Sequence, residues 1–214
     1  MDLKDAYVKN GYVHLERLIE PERCAQLVMR MREIVSKERP SDPSRVFDAI
    51  HQSTKTDFLV ASAKAISCFF DKNADQSKDM ILKNPFKALN KVGHALHELC
   101  PVYKKFSHQR IFYDLMTDLG QKKPQLVQSM FIFKQPKFGD GVPAHQDATF
   151  IHTDPCSVIG LWFALEDADI DNGCLWVLPG GHRGPLKERF VIKDGQLLFE
   201  EKKRVKWPRK DFIP

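Results

Sequence analysis

Apolar residues recur with two different periods along this chain, and the change falls near residue 120. From Asp2 to Gly120 the pattern reads mostly as helix. Pro21 opens the first clear helix, with Cys24, Leu27, Val28, Met31, Ile34 and Val35 spaced to form one buried face. Ahead of it, Gly11–Leu15 reads as a short strand or extended lead-in. Arg39–Thr56 carries Pro40, Pro43 and several Ser and Asp, so it reads as a loop. A second helical stretch is predicted near Leu89–Leu99. A third, around His108–Leu119, puts Ile111, Phe112, Leu115, Met116 and Leu119 on one side and stops at Gly120.

Beyond Gln125 the texture changes. Leu126–Phe133 is rich in β-branched and aromatic residues and gives out at Pro136. Ser157–Leu165 reads as a second strand and Cys174–Leu178 as a third, with Asn172-Gly173 and Gly180-Gly181 as turns. Helices followed by strands with tight turns predict an α+β fold with a mostly antiparallel sheet, in which Gln125–Gln135 and Ser157–Leu165 are central strands.

With 214 residues, 43% of them hydrophobic and 29% charged, the chain is long enough to bury a sizeable core and is not disordered wholesale. Its strongest apolar run, Val158–Leu165, is far short of the roughly 20 residues a membrane span needs. The N-terminal residues mix charges and lack the apolar centre of a signal peptide. Cys24, Cys68, Cys100, Cys156 and Cys174 never fall at C-x-x-C spacing, which predicts free thiols in a reducing compartment. The net charge of +5 is densest at Lys202, Lys203, Arg204, Lys206, Arg209 and Lys210. Trp207 and Phe212 lie nearby, but no nucleic-acid-binding module accompanies them, so this reads as a solvated basic loop. Neither nucleic acid nor membrane is expected as a partner.

The sharpest chemical signal is His145-Gln146-Asp147, just past the Gly139-Asp140-Gly141 turn. In extended backbone, residues two apart point to the same side, so an imidazole nitrogen and a carboxylate oxygen would meet at one point. That is two thirds of the 2-His-1-carboxylate triad, which leaves open positions on Fe(II). The tripeptide alone is a weak signal and reads better as an exposed polar turn. Strand periodicity puts Gln128 and Met130 on one face, and Val127, Ser129, Phe131 and Phe133 on the other. Farther on, Val158, Gly160, Trp162 and Ala164 share a face. The small neighbours leave room beside the indole, which suits a small ligand and equally suits tight sheet packing.

Together, Asn90–His97, Gln128–Pro136, Pro143–Asp147, Gly160–Trp162, Asp171–Trp176 and Pro179–His182 resemble the phytanoyl-CoA dioxygenase family over essentially the whole chain. The resemblance implies one domain over residues 1–214. It implies a double-stranded β-helix, a jelly-roll variant, with a helical N-terminal half. The working parts would be Fe(II), 2-oxoglutarate and O₂, with ascorbate as a further candidate. His145 and Asp147 fall on the iron ligands. Lys91, Met130 and Trp162 join them as cofactor-binding residues: Lys91 as a cation for a dicarboxylate, Met130 and Trp162 as an apolar wall.

The family also uses a second histidine ligand and an arginine or similar group on the far carboxylate, both downstream of the Pro-Gly-Gly-His turn. The sequence reaches Pro214 before either, so the closing strands are expected to be missing and the domain incomplete. No other histidine takes the role. His152 lies five residues past Asp147, His182 belongs to the turn, and His94 and His97 read as helix-packing or surface residues. Two functions follow: an oxygenase whose shortened form is inactive, or a non-catalytic binding or regulatory protein. The substrate would be a small molecule, of a kind that varies across the family and includes acyl-CoA thioesters. The C-terminus is not a Ser-Lys-Leu address, which leaves the cytosol as the default.

Overall fold

The computed structural model describes residues 2–37, 45–48, 56–74, 84–137, 139, 141–194, 196–201, 207 and 211–214. Among them the helices are α1 (Leu3–Asn10), α2 (Pro21–Lys37), α3 (Thr56–Ser62), α4 (Leu96–Leu99), α5 (Pro101–Ser107) and α6 (Arg110–Asp118). The strands are β1 (Val46–Phe47), β2 (Ile66–Asp71), β3 (Leu89–His94), β4 (Ser129–Ile132), β5 (Glu188–Lys193) and β6 (Gln196–Glu201). The described residues group into a helix–sheet unit, Glu16–Val142 with Leu165–Asp167, and a hairpin unit, Met1–Leu15, Pro143–Ala164 and Ala168–Pro214. Most of the basic cluster expected as a solvated loop, Lys202 to Lys210, lies outside the described residues, as do 39–44 and 49–55.

The helix–sheet unit holds every buried apolar side chain among the described residues. On α2 the helical spacing is realised: Leu27, Met31, Ile34 and Val35 are buried. Tyr103 of α5 donates its hydroxyl proton to the Leu27 carbonyl at 2.8 Å, tying the two helices. Its four strands run in the order β1-β2-β3-β4, with β1–β2 parallel and the other two pairs antiparallel. Phe47 and Phe69 form an edge-to-face pair at 5.9 Å, and Phe58 of α3 packs on Phe69 at 4.9 Å.

This arrangement corrects several expectations. The first 120 residues are mostly helical among those described, as expected, but they also hold β2 and β3, which form the middle of the sheet. Leu89–Leu99 is a strand and one short helical turn. Leu89, Val92, Leu96 and Leu99 imitate a helical period, but β3 lies between two strands with both faces covered, so its pattern does not alternate. Val46–Phe47 is a strand inside the stretch expected to be a loop. The predicted 125–135 strand shrinks to β4 and lies at the sheet edge. Its alternation is as expected, with Met130 and Ile132 turned outward. On α6 Phe112 and Met116 are buried, but Ile111 is exposed.

In the hairpin unit, β5 and β6 pair antiparallel from Glu188↔Glu201 to Lys193↔Gln196. This hairpin was not foreseen, although Asp194-Gly195 between two apolar runs is a strong hairpin signal. Among the described residues, Ser157–Leu165 forms no ladder, and Cys174–Leu178 contributes only the bridge Val177↔Ile213. The second and third predicted strands are therefore not observed, since strand propensity is realised only beside a pairing neighbour. The Pro-Gly-Gly-His turn instead caps α1, whose last carbonyls lack intrahelical partners. Gly180 N–H donates to Asn10 O at 2.7 Å, His182 Nε2–H to Val8 O at 3.1 Å, and the Arg183 guanidinium to Lys9 O.

Candidate functional site

Residues Pro143–Asp147 belong to the hairpin unit. Gln146 has φ −114° and ψ 132°, extended backbone that sends the side chains on either side of it the same way. His145 Nε2 lies 3.5 Å from Asp147 Oδ1. On the other edge of the ring, Nδ1 is 2.9 Å from the Pro143 carbonyl oxygen. A carbonyl can only accept, so Nδ1 carries a proton, and the ring turns its other nitrogen, Nε2, towards a carboxylate oxygen. Either a proton on Nε2 or a metal ion between Nε2 and Oδ1 would join the pair. The side chains are 39% and 56% exposed, open enough for a third species to enter.

Gly160 sits against this pair. A Cβ there would come within 2.6 Å of Asp147 Oδ2, so the carboxylate occupies space that only glycine leaves. Trp162, two residues on, is 48% exposed. It is not plain core, and its segment is irregular rather than a strand.

Lys91 and Met130 belong to the helix–sheet unit, where one face of the sheet brings them together. Lys91 is registered opposite Ile132, and Gly93 opposite Met130, so the two residues are diagonal neighbours. A Cβ on Gly93 would meet Met130 Cγ at 3.0 Å. The Lys91 ammonium stands 3.5 Å over the Phe47 ring and 5.3 Å from that of Phe69. Burial lowers its pKa from 10.5 to about 8.

Among the described histidines, His94 and His97 have structural partners. His94 ends β3 and His97 lies in α4, so they do not share a helix, and both are buried. Ser62 Oγ donates to Leu59 O at 2.6 Å and therefore accepts from His94 Nδ1–H at 2.9 Å. His97 Nδ1 is 2.8 Å from Ser129 Oγ. Among the described residues no three of His, Cys, Asp and Glu form a metal-holding group.

The phytanoyl-CoA dioxygenase (PhyH) family pattern matches residues 7–214. A phytanoyl-CoA dioxygenase of Arabidopsis thaliana is 40% identical over 216 residues, covering 99% of this chain and 75% of its own length. Phytanoyl-CoA dioxygenase 1 of Oryza sativa subsp. japonica is 41% identical, covering 96% and 72%. Phytanoyl-CoA dioxygenase domain-containing protein 1 of Bos taurus is 38% identical, covering 86% and 66%. This chain belongs to the phytanoyl-CoA dioxygenase family. It spans about two thirds to three quarters of the length of these relatives.

The family implies iron, and the donors here fit it. An imidazole nitrogen with its tautomer fixed by a carbonyl, facing a carboxylate, is the donor chemistry of a non-haem Fe(II) site, and the Pro143 contact is the kind of outer-shell bond that orients a ligand. The motif reading passed over two residues around this pair, Gln146 and Phe150. Gln146 bonds to Pro185 and Lys187, and Phe150 lies edge-on to His145 at 5.9 Å. An extended H-x-D must turn its middle residue away from the metal, and that was the available signal.

Proposed function

We propose that this chain is an Fe(II)- and 2-oxoglutarate-dependent dioxygenase domain that holds iron through His145 and Asp147. The observation that carries this reading is the convergence of His145 Nε2 and the Asp147 carboxylate at 3.5 Å, with Nδ1 held by the Pro143 carbonyl. Iron, when bound, would supply O₂ activation coupled to the decarboxylation of 2-oxoglutarate. In the same proposal Lys91, Met130 and Trp162 contact 2-oxoglutarate, Lys91 through its charge. The substrate is a small molecule, and the fold is a double-stranded β-helix whose closing strands are not among the described residues. The test is succinate release with Fe(II), ascorbate and 2-oxoglutarate, from a chain carrying the further length its relatives have. His145→Ala should abolish it by removing a ligand. Retained 2-oxoglutarate decarboxylation in that variant would refute the assignment.

The alternative, a binding or regulatory product, draws on one observation: only two of the three expected ligands occur among the described residues. On that reading the protein binds 2-oxoglutarate or a small molecule without turnover.

A further inference from the structure

Gln146 separates the two metal-binding side chains and points away from them. Its amide is used at both ends: Nε2 donates to Pro185 O at 3.3 Å, and Oε1 accepts from Lys187 N–H at 3.0 Å. One side chain thus bonds the backbone on both sides of Leu186, just before β5 begins, much as a neighbouring strand would. Phe150 provides a second hold. Its ring packs on Phe190 and Phe199 at 5.7 and 6.0 Å, and those two are a cross-strand pair of the hairpin. The metal-binding segment is therefore fastened to β5 and β6 by residues within and just after it.

We propose that Gln146 is a positioning residue for metal binding: its bridge to Pro185 and Lys187 fixes the backbone that aims His145 and Asp147 at one point. Gln146 itself does not touch the metal. The inference rests on reading His145 and Asp147 as iron ligands. With the bridge removed, the torsions around residue 146 are free to spread over the broad extended region. The two donors then converge only part of the time, and metal affinity falls by the fraction lost.

The experiment uses the full 214-residue chain and Mn(II), a redox-silent substitute for Fe(II), titrated into the millimolar range. Free Mn(II) is read by its EPR signal. Gln146→Met keeps the length of the side chain and loses both bonds. Gln146→Asn keeps the amide on a stem too short to span both partners. Each should weaken His145-dependent Mn(II) binding about tenfold or more, the usual loss for an outer-shell partner, while hydrogen exchange in β5 and β6 stays as in the unmodified chain. A merely structural role would lower the melting temperature and leave the affinity of the folded protein unchanged, and that result overturns the proposal. Should Gln146→Met fail to fold, Gln146→Asn decides by the same affinity criterion. If the unmodified chain binds Mn(II) no better than His145→Ala, the ligand assignment itself falls.

Discussion

A single absent methyl group decides where the Asp147 carboxylate can lie. Gly160 leaves the volume that Oδ2 occupies, and Gly160→Ala would bring a carbon to within 2.6 Å of it. The obstacle is the end of a flexible side chain, so the carboxylate can rotate away at little cost to the fold. We expect Gly160→Ala to change unfolding free energy by no more than about 1 kcal/mol and to weaken Mn(II) binding about tenfold, as displaced donors do. Denaturant titration and EPR measure the two effects separately. A large stability loss with unchanged affinity would show that Gly160 serves packing alone. This residue was legible in sequence only as a space beside Trp162. Its contact with Asp147 depends on how an irregular segment folds back, which no local pattern encodes.

At the scale of the element, β3 carries the most informative pair of titratable groups. Burial and the nearby Lys91 charge lower the His94 pKa from 6.5 to about 4, so the folded protein keeps this imidazole neutral. Between those values the unfolded chain binds a proton that the folded chain refuses, so stability is lost as pH falls from 6.5 towards 4, by up to roughly 3 kcal/mol. Lys91 works in a higher window. With a folded pKa of about 8 against 10.5, its buried charge costs most below pH 8, and stability rises as pH climbs from about 8 to 10.5. Lys91→Met should therefore raise the melting temperature at pH 7, abolish the rise above pH 8, and soften the acid loss by relieving His94. Melting curves from pH 4.5 to 10 test all three, and an unchanged profile would mean that neither charge is buried as described. The same strand shows why part of the fold was hidden. On α2, exposed on one side, the helical period was readable from Cys24 to Val35. On β3, covered on both faces, Leu89, Val92, Leu96 and Leu99 mimicked a helix. The run Ile66–Phe70 was a buried strand without alternation to announce it.

Across the whole molecule, the described residues divide the chemistry unevenly. The helix–sheet unit contains the buried apolar residues, and the hairpin unit contains both candidate metal ligands. His145 and Asp147 were legible because a tripeptide in extended backbone fixes its own geometry. A third ligand would have to come from a distant element, and none joins them among the described residues. Two protein donors hold a metal less firmly than three, and they leave the orientation of a chelating co-substrate loosely defined. A misplacement of about 1 Å at the reacting atoms can cost around 10²-fold in rate. A site open to water also weakens the electrostatic interactions that hold a charged co-substrate in place. We therefore expect the 214-residue chain to release succinate at least about 10²-fold more slowly than a form carrying the additional length of its relatives, with both assayed at saturating Fe(II) and 2-oxoglutarate. Saturation matters, because it removes weak binding as the cause and leaves geometry. Comparable rates from the two forms would mean that the additional length is dispensable, with a further donor reaching His145 and Asp147 from within these 214 residues.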